Sequence, residues 1–160
     1  MATTQQDNLR TTRNARRRGG AVLEVSLVLP ILLMLTFGGI EWGYYLFVKN
    51  SLLGAAREGA RTAIIAGTGN TTINTSINTA MDSATMSHIK THASYVRTIQ
   101  VLDSSGNQVS TDASTAATGA PIKVTVQCQW SATNISLLPT MLGGVPSTKM
   151  ITASAVMRRE

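Results

Sequence analysis

Residues 21–40 read AVLEVSLVLPILLMLTFGGI and carry a single ionisable side chain, Glu24. As a helix those twenty residues rise about 30 Å, the thickness of a bilayer's hydrocarbon core. Such a run must cross lipid, be buried in a core, or be removed as a secretory signal. A core helix of a soluble domain keeps a polar stripe, and this run has none. An ordinary signal peptide has a shorter apolar region closed by an Ala-x-Ala-like site, and no such site follows Ile40. The run therefore predicts one membrane-spanning helix.

Its flanks predict its direction. Arg10, Arg13, Arg16, Arg17 and Arg18 precede it within nine residues, and basic residues stay on the cytoplasmic side of a span. Arg16, Arg17 and Arg18 are thus the expected membrane-orientation residues, with the N-terminus cytoplasmic and everything beyond residue 41 across the membrane. At the far end five of the seven aromatic residues, Phe37, Trp42, Tyr44, Tyr45 and Phe47, gather around Glu41. Aromatic rings with a polar edge collect at the membrane–water boundary. Trp42, Tyr44 and Tyr45 are expected to form such an interfacial belt.

The formal charge of +6 suggests a nucleic-acid binder until it is located. Five arginines against Asp7 give the first eighteen residues a net +4, while the other 142 hold nine basic and seven acidic groups. A basic face spread over a folded domain, as nucleic-acid binding requires, is excluded. Charged residues make up 14% of the chain, against about 25% in soluble domains. Cys128 is the one cysteine, so neither an internal disulfide nor a cysteine-rich zinc cluster can form.

Two residues inside the span are unusual. An isolated carboxylate at the depth of Glu24 costs about 2.5–3.5 kcal/mol on insertion scales, so it is expected to be neutralised or paired with a cation. Pro30 removes the backbone bond to the carbonyl of Ser26, which predicts a kink or local unwinding.

A basic leader ending in glycine, an apolar helix directly after it, and a glutamate near its start resemble a class III (prepilin) signal. Cleavage between Gly19 and Gly20 places Glu24 fifth in the mature chain, the preferred register; cleavage after Gly20 would place it fourth. The new α-amine of one subunit could then pair in lipid with the Glu24 carboxylate of a neighbour, each relieving the other's desolvation. The run from Gly20 to Leu35, the Ile40-Glu-Trp-Gly that follows, and Leu53-Gly-Ala-Ala-Arg-Glu-Gly-Ala-Arg-Thr-Ala63 resemble the TadE-like family. So, more loosely, do Leu138-Pro-Thr-Met-Leu-Gly-Gly144 and Thr152-Ala-Ser-Ala-Val-Met-Arg158.

That resemblance implies a minor pilin or pseudopilin of a tight-adherence (Flp) pilus system, processed after Gly19. The implied partners are a prepilin peptidase, other pilin or pseudopilin subunits, the inner-membrane pilus assembly machinery and membrane lipid, with no nucleic acid. Glu24 and Pro30 become subunit-assembly residues on this reading. The implied location is a bacterial inner membrane, single-pass, with the C-terminal domain periplasmic or extracellular. An uncleaved bitopic anchor or assembly scaffold is the competing reading, and an ordinary secreted protein released after the helix is a third.

Beyond the span helical spacing persists, with Tyr45, Leu46, Lys49, Leu52, Leu53, Ala56, Ala60, Ala63 and Ile64 recurring at three and four. An unbroken helix over 21–66 would be about 69 Å long, with one half in lipid and the other packing a small domain. Glu58 and Arg61 form a favourable i,i+3 pair on it. Gly43, Gly54 and Gly59 are expected to permit close helix approach. Gly67-Thr-Gly-Asn70 ends that helix, and a second is predicted over 71–88 with Ile73, Ile77, Met81, Ala84 and His88 on one stripe. Residues 95–102 read as a strand, 103–107 as a turn and 110–120 as a loop. Ile122, Val124, Val126, Cys128 and Trp130 alternate with polar residues, the clearest strand signal, and 149–159 reads as another. The expected fold is α+β: a long N-terminal helix packed on a small antiparallel sheet. Its divisions are a leader (1–19), the helix (20–66) and an extracytoplasmic domain (67–160).

Catalytic patterns are absent from the sequence. His88 and His92 have the spacing of two metal ligands on one helix face but lack the accompanying glutamate, so they read as a surface or core-edge pair. Asp103 and Asp112 flank loops as turn-formers do. Cys128 has no base beside it in sequence and falls on the apolar side of its strand. The chain is expected to be no enzyme and to need no metal or cofactor.

Overall fold

The computed structural model describes residues 3–82 and 86–160, with side chains described from Gly20 onward. Helix α1, Thr3–Ala63, runs without interruption past Pro30. The unwinding expected there does not occur: one missing donor is tolerated when the rest of the ladder is kept. Within the apolar stretch Ser26 Oγ donates to the Val22 carbonyl and Thr36 Oγ1 to the Leu32 carbonyl, each at 2.8 Å. Those hydroxyls are satisfied inside the helix, which a lipid environment demands.

The two halves of the described helix have opposite surroundings. Leu23 is 74% exposed, whereas Leu52 is fully buried. The 44 residues Gly20–Ala63 extend about 66 Å, and their first half stands clear of the rest of the protein. The buried stripe is Glu41, Val48, Leu52, Ala55, Ala56, Gly59, Ala60 and Ala63. Leu46, expected on the inner face, is exposed, Lys49 points away from the domain with Arg57, Glu58 and Arg61, and Val48 and Ala55 are buried in addition. Leu52, Ala56, Ala60 and Ala63 lie where expected, and the stripe departs from the expected line N-terminal to Leu52, where it runs back through Val48.

Four antiparallel strands follow: β1 (Val96–Leu102), β2 (Gln108–Ser110), β3 (Pro121–Gln129) and β4 (Met150–Arg158), in the order β2-β1-β3-β4. In β3 every second residue is buried, and Val124, Val126 and Cys128 face Ala155, Ala153 and Ile151 across the β4 pairing. α1 lies across β3 and β4. Small residues on both surfaces permit this: Ala153 and Ala155 on the strand, Ala55, Ala56, Ala60 and Ala63 on the helix. At Gly59 the approach is closest, since a Cβ there would stand 2.5 Å from Ile77 Cγ1 and 3.2 Å from Val124 Cγ1. Gly43 and Gly54 face open space.

The predicted second helix is two shorter ones. Helix α2 (Asn70–Ala80) buries Ile73 and Ile77 against α1, and Met81 caps it. Helix α3 (Ser87–Lys90) carries His88 separately, and Ala84 lies outside the described residues. Threonine, serine and asparagine hold a long helix poorly. Lys90 secures the break, its Nζ reaching Asp82 at 2.8 Å and the Asn78 carbonyl near the end of α2 at 3.5 Å. That is the one ion pair among the described residues. Glu58 and Arg61 are both exposed and do not form the expected pair, consistent with the small worth of surface pairs. β2 takes residues 108 and 109, unassigned between the expected turn and loop, and Ser110 of the loop, and Glu160 N–H donates to the carbonyl of Ile64, just past the end of α1.

Candidate functional site

The residues predicted to matter fall at two levels of α1. The side chains of Arg16, Arg17 and Arg18, and the surroundings of Gly19, lie outside what is described. Gly20 stands in open space. Glu24 is exposed on the helix surface, in a shallow groove with Val25, Val28, Leu29 and Leu32. Pro30 is one turn and a half further on, also exposed. This level has the chemistry of a helix surface offered to other apolar surfaces, with one carboxylate set into it.

The second level joins the apolar run to the sheet domain. Trp42, Tyr44 and Tyr45, the residues expected as a belt, are where that domain meets α1. Tyr44 and Tyr45 place their ring centroids 6.0 and 5.9 Å from that of the buried Trp130, and Trp42 packs edge-on against Tyr45 at 5.5 Å. Trp42 Nε1 also donates to the Gly143 carbonyl at 3.1 Å. Trp130 follows β3 directly, so the strand's end is anchored on the helix where the apolar run stops.

Glu41 completes this joint. It is fully buried, and its carboxylate accepts the backbone N–H groups of Leu138 at 2.9 Å and Val145 at 2.8 Å. The loop it grips is folded back on itself. Gly143 has φ +90°, and a Cβ on Gly144 would come within 2.1 Å of the Leu138 carbonyl oxygen. Sequence reasoning assigned Glu41 no role beyond ending the apolar run. The available signal was that its tetrapeptide and the 138–144 segment both resemble one family. What the segment and the glutamate do to each other became visible only in three dimensions.

Residues 19–61 match the family model described as TadE-like protein. Over this stretch the chain is similar to the TadE-like family. The stretch begins at the residue expected to end the leader and takes in the apolar run, Glu41, the aromatic cluster and most of the helix under the sheet. The helix from Gly20 to Ala63 is long and apolar enough, by length and composition, to cross a membrane. No curated protein and no solved structure matches the chain.

Outside the TadE-like segment the polar groups serve the fold. Asp103 accepts the N–H groups of Ser105 and Asn107, and Asp112 that of Ser114, bonds that hold both carboxyls below the usual aspartate range. His92 Nδ1 lies 2.7 Å from Ser94 Oγ, beyond the end of α3, so it does not share a helix face with His88. Among the described residues no group of three or more His, Cys, Asp or Glu could hold a metal ion.

Burial pushes the Cys128 thiol up to about 11. Because thiol reagents need the thiolate, a maleimide at pH 8 should leave the native protein unlabelled and label it fully after denaturation. The folded value lies above the unfolded one of about 8.5, so the folded state keeps a proton that the unfolded state loses. The corresponding stability is complete below about pH 8.5 and is lost as pH rises through about 11, visible as an alkaline fall in the denaturation midpoint.

Proposed function

We propose that this protein is a membrane-inserted minor pilin or pseudopilin, cleaved after Gly19 by a prepilin peptidase. Its helix then packs among other pilin-type helices during pilus assembly. One observation carries the reading: a TadE-like segment opens with a fully exposed apolar helix bearing one carboxylate, Glu24, five residues beyond Gly19. Exposed apolar helix surface must find lipid or a similar partner, and such a helix can exchange one for the other. Arg16, Arg17 and Arg18 hold the precursor's N-terminus at the cytoplasmic face of the inner membrane, leaving the sheet domain outside. Cleavage removes that arm and creates an α-amine at Gly20, the cation that pairs with Glu24 of a neighbouring subunit. Pro30, by freeing the Ser26 carbonyl, provides a place where the packed helix can bend.

Glu24→Ala tests this pairing. The variant is expected to insert and fold normally but to be lost from purified pili, or strongly depleted there, by immunoblot against the membrane fraction. Incorporation at the level of the unsubstituted protein would contradict the amine–carboxylate role.

A further inference from the structure

We propose that residues 137–142 form a membrane foot, an apolar loop that enters the outer headgroup boundary of the bilayer beside α1. The outer domain thereby has a second lipid contact besides the span. This inference rests on the membrane-spanning reading of residues 21–40 and on neither leader cleavage nor the pilus role.

The loop's height is set by three hydrogen bonds and one apolar contact. Glu41 holds the Leu138 and Val145 N–H groups, and Trp42 donates to the Gly143 carbonyl. Leu138 Cδ1 lies 3.4 Å from where a Cβ on Gly38 would stand. Gly38 belongs to the apolar run itself, so the loop is level with the last turn of the span rather than beyond it. Any bilayer that covers residues 21–40 reaches this loop as well.

The loop's composition suits that position. Residues 131–148 contain no Asp, Glu, Lys, Arg or His, and Lys149 follows immediately. Met141 is 94% exposed, and Leu137 and Leu142 are exposed beside it. Phe37, Ile40 and Trp42 expose apolar surface at the same height on α1. An apolar patch continuous with a span, free of charge and flanked by a tryptophan and a lysine, has the make-up of an interfacial anchor. The grip of Glu41 and the folded-back Gly143-Gly144 turn pre-form it, so little ordering is needed on contact with lipid.

The test uses the full chain in phosphatidylcholine vesicles, with an environment-sensitive fluorophore on Met141→Cys, Ile31→Cys or Val109→Cys. Cys128 is buried, and the unsubstituted chain serves as the labelling blank. Val109 is an exposed apolar residue on β2, at the end of the sheet far from the joint. Lipids carrying a doxyl quencher near the headgroup should quench the 141 label several-fold more than the 109 label. Deep-doxyl lipids should quench the 31 label. A quenched 31 label with a 141 label no more quenched than 109 would overturn the foot and leave the span standing. If neither 31 nor 141 is quenched, the span reading fails and the foot with it. An unquenched 141 label that shifts blue only as protein density rises would assign the loop to a protein neighbour, and also overturns the proposal.

Discussion

Glu41→Ala is expected to free residues 138–145 from α1 and destabilise the sheet domain by about 3 kcal/mol or more. Two backbone N–H groups, on Leu138 and Val145, lose their carboxylate acceptor in a site sealed from water, and a hydrogen bond to a charged group contributes about 1.5–3 kcal/mol. The most direct readout is amide exchange at Leu138 and Val145. Both should lose roughly a hundredfold in protection, by the conversion of about 1.4 kcal/mol per tenfold, while amides in β3 lose less. Glu41→Gln keeps the side chain's size and one carbonyl oxygen, so it should retain one of the two bonds and fall between. Unchanged protection in Glu41→Ala would mean that the loop is held by its own turn and that the carboxylate is incidental.

Trp130→Ala should cost the domain about 3–5 kcal/mol, the range for removing a fully buried large aromatic side chain. The ring is 1% exposed and bridges the end of β3 to Tyr44 and Tyr45 on α1, so the hole would open where helix and sheet meet. For a domain of this size the thermal midpoint should fall by on the order of 20 °C, followed by near-ultraviolet circular dichroism in detergent. Trp130→Phe keeps an aromatic contact with both tyrosines and should lose well under half as much. A midpoint moved by only a few degrees in Trp130→Ala would show that the small-residue contact of Ala56, Gly59 and Ala60 with the sheet holds the two parts together unaided.

The parts of this architecture legible beforehand are those with a strong period or a strong composition. Residues 21–40 needed only their length and lack of charge. β3 announced itself by strict alternation from Ile122 to Cys128, and the turn at Asp103 by its Asp, Gly and Asn. Harder to read was 71–88, where a true stripe of Ile73, Ile77 and Met81 extends in the sequence to His88 but breaks after α2. Periodicity does not register that Lys90 folds back across the helix end. β2 was hidden because three residues on a sheet edge need no pattern of their own. At the site, Glu24 stood out because a carboxylate is anomalous in an apolar run. Glu41 did not, because a glutamate at the end of such a run is ordinary. Its importance comes from residues about a hundred positions away in the chain, a relation that local spacing cannot carry. Trp42 and Tyr44 stand out by ring chemistry alone, which does not separate a lipid boundary from a protein surface, whereas Tyr45 also lies on the helical series that packs the domain.

The central claim is that Gly20, within α1, becomes the N-terminus of a mature pilin-type subunit. It is tested most directly by the first residue of the protein purified from the cells that make it, determined by mass spectrometry of the intact chain and its N-terminal peptide. The account predicts a chain starting at Gly20. A start at Met1 or Ala2 would contradict it and identify an uncleaved membrane anchor. A start beyond residue 40 would contradict the membrane-spanning helix itself.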